Sequence, residues 1–145
     1  MIDKLKLARA CAEAMWAGDT ASQRLGMKIE EIRPGYARLS MRITRDMVNG
    51  RDSCHGGVLF TLADSSFGYA CNTHNQYSVA VGCSIDFLAP GHVGDLLVAT
   101  AVEQARVGRT GIYDIRVENQ AGALVATFRG KSVTLKGHWV ELSNP

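Results

Sequence analysis

A single acid, Asp64, interrupts an otherwise uncharged run of 17 residues from Gly56 to Asn72, GGVLFTLADSSFGYACN. Aspartate is a poor mid-helix residue, because its side chain competes for backbone hydrogen bonds. Burying its carboxylate without partners is costly and pushes its pKa upward. Such a residue is either satisfied locally, through Ser65, Ser66 or a strand N–H, or kept for chemistry as a nucleophile or base. Eight residues upstream, His55-Gly56-Gly57 opens the same segment. The first N–H groups of a helix lack intrahelical partners and sit at the positive end of its dipole. Glycine lets a ligand approach that backbone closely. The result is a place to hold an oxyanion and polarise a carbonyl. The plainer alternative is that two glycines only shape a tight loop-to-helix turn.

A carboxylate and an oxyanion site together suit attack on a carbonyl, and their spacing restricts how. At ~1.5 Å rise per residue, Gly56 and Asp64 lie roughly 12 Å apart along a helix. Reacting atoms must approach within ~3.5 Å. The two residues of one chain therefore cannot serve the same carbonyl. Two such helices packed antiparallel bring Gly56 of one protomer to the partner's Asp64. This chemistry requires a homodimer, with two sites across a twofold axis.

The elements that must position these residues follow from periodicity. Residues 3–17 read as an amphipathic helix, with Leu5, Ala8, Ala12, Met15 and Trp16 near one face and Gly18 as a stop. Tyr36 to Ile43 alternates: Ala37, Leu39, Met41 and Ile43 point one way, as in a half-buried strand. Gly26 to Ile32 pairs with it as a hairpin through Arg33-Pro34-Gly35. The uncharged run, 56–72, is long enough for a helix, and its lack of charge predicts burial on nearly every side. In Tyr77 to Leu88, Val79, Val81, Cys83, Ile85 and Phe87 alternate with smaller or polar residues, and Pro90-Gly91 ends the strand. Asp95 to Arg106, apolar on both faces in Leu96 to Ala101, reads as a central strand. Val107-Gly108 turns it into Arg109 to Asn119, and Gln120-Ala121-Gly122 into Ala123 to Leu135, giving an antiparallel meander. The expected fold is α+β: one central helix wrapped by a curved antiparallel sheet of about six strands, in a single domain over 1–145.

Composition narrows the class. The chain has 145 residues, 46% hydrophobic and 21% charged, which suits one domain. Sixteen Lys and Arg against fourteen Asp and Glu leave a net charge of +2, with no long basic run, so nucleic acid is not an expected partner. Cys11, Cys54, Cys71 and Cys83 form no C-x-x-C pair, and no metal is expected. Lys4, Arg9 and Glu13 interrupt any N-terminal signal core, and no apolar run spans a bilayer. A cytoplasmic protein with reduced thiols, not bound to membrane, is the expectation. A Cys54–His55 nucleophilic pair is disfavoured, because adjacent side chains point apart.

Further residues carry a resemblance. Asn49-Gly50, Cys54-His55-Gly56-Gly57, Leu62-Ala63-Asp64 and Ser84-Ile85-Asp86-Phe87-Leu88 resemble the hotdog-fold thioesterase superfamily. Gly111-Ile112-Tyr113-Asp114-Ile115 and Phe128-Arg129-Gly130-Lys131-Ser132 bring the likeness closer to its PaaI-type, phenylacetic-acid-degradation branch. The likeness runs from about residue 12 to residue 136. It implies hydrolysis of an acyl-CoA thioester, with no cofactor, coenzyme A being part of the substrate. Asp64 falls where the family has its nucleophile or base, and Gly56 where a backbone N–H binds the thioester oxygen. His55 and Asn49 fall on the orienting pair beside that hole. Dimers paired into homotetramers, with sites between subunits, are implied too. The chain departs from some aryl-thioester relatives at Gly68, where they carry a hydroxyl; here the hydroxyls are Ser65 and Ser66.

For the substrate, coenzyme A brings phosphates that suit arginine. Arg106, Gly108, Arg109 and Thr110 lie on the turn where the resemblance places the nucleotide, with Lys131 a further candidate and Ser65 beside the acid. Phe67, Tyr69, Tyr77 and Phe87 are candidates to line an acyl pocket. The branch favours an aryl or arylacetyl group, phenylacetyl or hydroxyphenylacetyl, in phenylacetate catabolism. Two other readings stand beside it: a hotdog enoyl-CoA hydratase, and a non-catalytic acyl-CoA-binding protein, which has no need of a buried acid.

Overall fold

The computed structural model describes residues 2–142. Helix α1 spans Lys4–Gly18. Asp3 caps it, its Oδ1 accepting from the N–H groups of Leu5 and Lys6, two of the donors that a helix start leaves open. Ala8, Cys11 and Ala12 form its buried stripe. Gly18 is the last helical residue rather than the stop. Asp19 follows it and caps a second helix, α2, Thr20–Arg24. No periodicity announces α2, because five residues make little more than one turn.

Strands β1 (Lys28–Arg33) and β2 (Tyr36–Arg42) form the expected hairpin. Pro34-Gly35 turns it, with Gly35 at φ +69°, the conformation that a type II turn requires after proline. Ala37, Leu39 and Met41 point into the core. A 3-10 turn at Arg45–Met47 and a short loop then lead to the central helix α3, Gly56–Cys71. The remaining strands are β3 (Ser78–Phe87), β4 (Leu96–Val107), β5 (Thr110–Glu118) and β6 (Leu124–Thr134). All six strands form one antiparallel sheet in the order β1-β2-β4-β5-β6-β3. Strand β4 is interior to the sheet, as expected, but only its Leu97, Ala99 and Ala101 face is buried. The apolar reading of both faces does not hold, because the other face lies on the open side of the sheet.

Helix α3 lies across one face of this sheet and touches every strand. Leu59, Leu62, Ala63, Phe67 and Ala70 pack there against Leu39, Leu97, Ala99, Tyr113, Ile115 and Phe128. Glycine sets the closeness of that approach. A Cβ on Gly130 of β6 would lie 2.6 Å from the Phe67 ring. Truncating the fully buried Leu62 to alanine would cost about 2–5 kcal/mol.

Two further features differ from the sequence expectation, and both concern the site. Helix α3 is not covered all round. Gly57 is exposed, and Thr61, Asp64, Ser65 and Gly68 are only half-buried, so one stripe at helical spacing is open in the single chain. And β3 does not alternate throughout. A bulge between Ala80 and Gly82 breaks its register against β6, which turns Cys83, Ile85 and Phe87 to the same face as Ala80.

The two sheet edges are unlike. Edge strand β1, KIEEIR, carries four charges in six residues, a common protection against further pairing. Edge strand β3, SVAVGCSIDF, carries one. Val79, Val81, Phe87 and the following Leu88 stand 43–57% exposed along it.

Candidate active site

Asp64 sits midway along α3, half-buried, in a cleft of ≈ 360 Å³. Met15, Asp19 and Ser22 of the α1–α2 corner form one wall of the cleft; Phe67, Gly68, Cys71 and Asn72 continue along α3; Ser78, Val79 and Ala80 of β3 close it. Among the described residues, no side chain or backbone group hydrogen-bonds the Asp64 carboxylate. The local network weighed from sequence goes elsewhere. Ser65 Oγ pairs with Ser22 Oγ at 2.8 Å, and Ser66 Oγ donates to the carbonyls of Leu62 and Ala99. Burial alone acts on Asp64 and raises its pKa above the ordinary aspartate value. An acid held this way is a stronger base than a solvated one.

The other end of α3 is built around an unpaired donor. His55 is the N-cap, and its Nδ1 accepts from Gly57 N–H at 2.9 Å, so its own proton is on Nε2. The N–H groups of Val58 and Leu59 donate to the His55 carbonyl. That leaves Gly56 N–H as the one donor of the first turn without a partner among the described residues. It opens into a second cleft of ≈ 360 Å³, lined by Asn49, Ser53, Cys54, Leu59 and the β3 end, Phe87 and Leu88. The Phe87 ring lies so close that a Cβ on Gly56 would meet it at 3.1 Å. Asn49 Oδ1 accepts from Arg51 N–H, Ser53 N–H and Ser53 Oγ, which folds the loop before α3. Its Nδ2 has no acceptor among the described residues and remains free to donate into the cleft.

Asp64 and Gly56 thus occupy separate clefts of one chain, as the helix rise requires. Ser65 shares the first cleft with Asp64, and Asn49 shares the second with Gly56, while His55 is exposed and lines neither. Of the aromatic candidates, Phe67 lines the Asp64 cleft and Phe87 the Gly56 cleft. Tyr69 lines neither. It is 1% exposed, with its hydroxyl donating to Asp19 Oδ2 at 2.9 Å. Tyr77 packs edge-on against Trp139 instead. Cys54 is poorly suited to act as a nucleophile with His55: burial pushes its thiol up to about 11, which disfavours the thiolate, and His55 Nδ1 is taken by Gly57 N–H. Gly68 faces the Asp64 cleft against Met15 Cε, so no hydroxyl stands one turn beyond the acid.

Gly108 and Arg109 form the tight turn between β4 and β5, and Gly108 has φ +60°, the conformation that two-residue hairpin loops favour in glycine. The two arginines differ. Arg109 donates from Nε and Nη2 to the Thr134 carbonyl. Arg106 makes no hydrogen bond among the described residues and lines a cleft of ≈ 290 Å³ with Lys4, His74 and Gln76. Behind it, Glu103 accepts from Tyr113 Oη at 2.7 Å and pairs with His74 Nε2 at 2.8 Å. Burial works to raise the Glu103 pKa, but these hydrogen bonds outweigh it and hold the group below its usual range. Thr110 opens β5, and Lys131 stands exposed on β6 beside Ile112 of β5 and Gly82 of β3.

A larger hollow of ≈ 530 Å³ lies along the open face of the sheet, among Ser84, Asp86, Thr100, Gln104, Asp114, Arg116 and Arg129. It holds none of the predicted site residues. Its Asp114 is taken by a two-pronged pair with Arg129, at 2.6 and 2.8 Å. Among the described residues, no three His, Cys, Asp or Glu side chains gather as a metal group, and no helix is long and apolar enough to cross a membrane.

The chain belongs to the thioesterase superfamily, whose family profile matches residues 52–126, and its architecture is the hotdog fold. It is 47% identical over 126 residues to the acyl-coenzyme A thioesterase PaaI of Escherichia coli, covering 87% of this chain and 90% of that one. The solved structure of the E. coli PaaI protein from the phenylacetic acid degradation operon superposes with a TM-score of 0.92 at 44% identity, over 94% of this chain and 99% of that one. TT0310 of Thermus thermophilus superposes with a TM-score of 0.78 at 36% identity, over 81% of this chain and 98% of that one.

Proposed function

We propose that this acyl-CoA thioesterase hydrolyses aryl- or arylacetyl-CoA at sites shared between two protomers. The Asp64 carboxylate of one chain attacks the thioester carbon or takes the proton of the attacking water. The free Gly56 N–H of the other holds the developing oxyanion, with Asn49 Nδ2 and His55 Nε2 orienting the carbonyl end. A thioester has a good leaving group, so a base and an oxyanion donor are sufficient machinery.

The observation that carries this reading is the run of β3 between the two clefts. Its first residues, Ser78 to Ala80, border the Asp64 cleft, and its last, Phe87, borders the Gly56 cleft. Its outer edge has no strand partner among the described residues. A second copy pairing antiparallel about the strand middle, near Gly82 and Cys83, sets Ser78–Ala80 of one chain beside Ile85–Phe87 of the other. That apposes one chain's Asp64 cleft to the other's Gly56 cleft, twice, about a twofold axis. The same pairing covers the exposed apolar residues of β3 and the open stripe of α3.

The arylacetyl preference rests on similarity to the PaaI enzyme and on a cleft with Phe67 on its wall. Arg106 is the proposed phosphate contact, since Arg109 is tied to the Thr134 carbonyl. Pairs of such dimers forming tetramers, and a cytoplasmic site of action on CoA thioesters, complete the proposal. A thiol-release assay across phenylacetyl-, short-chain and long-chain acyl-CoAs tests it. The expected result is the highest kcat/KM for the arylacetyl thioesters; equal or better turnover of long-chain substrates would reject that substrate class. Loss of enoyl absorbance without thiol release would mark a hydratase instead.

A further inference from the structure

The end of the Asp64 cleft is held by a segment that lies outside the sheet. After β6 the chain returns across the loop between α3 and β3, and two asparagines of that loop grip it. Asn75, in the left-handed region at φ +60°, accepts through Oδ1 from the N–H groups of Trp139 and Val140 at 3.0 Å each. Its Nδ2 donates to the Val140 carbonyl at 3.0 Å. Asn72, 3% exposed, uses its whole carboxamide. Nδ2 donates to the carbonyls of Gly68 and Ser78, and Oδ1 accepts from Ser78 N–H at 2.9 Å and from the indole Nε1 of Trp139 at 2.8 Å. The Tyr77 ring meets Trp139 edge-on with centroids 4.8 Å apart and lies against Gly137.

Asn72 and Ser78 are also cleft wall, at the end of the Asp64 cleft away from Gly56. The strap and the cleft therefore share one buried carboxamide. We infer that Trp139 is a positioning residue for acyl selectivity: its indole N–H fixes Asn72, and through it the Ser78 end of the cleft, against acyl groups large enough to reach that wall. This rests on the reading that the acyl group enters the Asp64 cleft. Trp139 touches no reacting atom. Its effect belongs in the binding of large acyl groups, not in the chemical step.

Trp139→Phe keeps an aromatic ring against Tyr77 and removes the hydrogen-bond donor together with part of the indole's bulk. Thiol-release kinetics on phenylacetyl-CoA and acetyl-CoA separate the outcomes. Expected is a rise of about fivefold in KM for phenylacetyl-CoA, the worth of one hydrogen bond, with kcat within about twofold and acetyl-CoA constants unchanged. Asn75→Gly, which tolerates the left-handed backbone while releasing the strap, is expected to give the same split, and decides the matter should Trp139→Phe fold poorly. Unchanged constants, or an equal fall in kcat for both substrates with KM fixed, would overturn the assignment. If the wild-type protein turns over neither thioester, the proposed function fails rather than the role of Trp139; if it turns over phenylacetyl-CoA alone, the KM-against-kcat split decides.

Discussion

Asp64→Asn keeps the shape of the side chain and removes a charge that no neighbour satisfies among the described residues. Without the carboxylate, neither direct attack nor proton abstraction is available. The expected loss in kcat is on the order of 10³-fold, within the range of a lost general base. Stability should move the other way. Burial raises the Asp64 pKa, so the folded chain favours the protonated acid. The stability this group contributes is present in full below its unfolded pKa and is lost as pH rises through its raised folded value. At pH 7 the ionised acid is thus a burden, and the neutral amide relieves it. The variant should melt no lower than wild type at pH 7, and any advantage should shrink as the buffer is taken to acid pH. For the wild-type enzyme the acid limb of kcat/KM should inflect above the usual aspartate value of ~3.9. Thiol release and thermal melts across pH measure both sides. Turnover within tenfold of wild type, or a melting point several degrees lower at pH 7, would refute the reasoning that the acid is retained for chemistry at a cost in stability.

Further expectations follow from the same geometry. Val81→Asp changes a residue 56% exposed in the single chain but central on β3. It should leave the protomer folded, halve the mass seen by analytical ultracentrifugation and lower kcat by more than about tenfold, since separated chains lack a complete site. Unchanged mass and activity would remove β3 from the interface. Cys54→Ala should keep kcat within about threefold, because that thiol is buried and pushed up to about 11; loss of turnover in steady-state assays would reinstate the thiol. Arg106→Ala should raise KM for acyl-CoA by about tenfold, as for one lost charge-assisted phosphate contact, with kcat intact. The pantetheine thioester, which lacks the nucleotide, should show no such change. Arg109→Ala should instead lower the melting temperature and spare KM.

The acid was legible because one charge in a long apolar run is conspicuous at any register, and Gly56 because glycines after histidine open that run. Helix rise alone then separated the two and called for a second chain. The meander and the first hairpin were legible through Pro34-Gly35, Gly108 and Gly122, whose positive φ values match their turns. The order of strands was not, since β3 reaches the far edge by packing rather than by local pattern. The bulge near Val81 was invisible because an extra residue only shifts the phase of an apolar alternation. Helix α2, at five residues, is too short to show a period. Arg106 and Arg109 looked equivalent in sequence, and only the Thr134 carbonyl tells them apart. Asn72, Asn75 and Trp139 carried no signal at all. Their spacing of more than 60 residues hides a contact that exists only once the chain has returned across the loop.

The division of each site between two chains is tested most directly by pairing two defects. Gly56→Pro deletes the free N–H at the first position of the helix, where proline suits the backbone; its Cβ presses on the Phe87 ring at 3.1 Å, so the variant is used once a melt shows it folded. Asp64→Asn deletes the acid. Each variant alone should be inactive. Co-expressed under two different tags and isolated as the heterodimer, they should regain about half of the wild-type turnover per dimer, because one of its two sites is then whole. A heterodimer as inactive as its parents would show that acid and N–H must come from one chain, and would contradict the shared site.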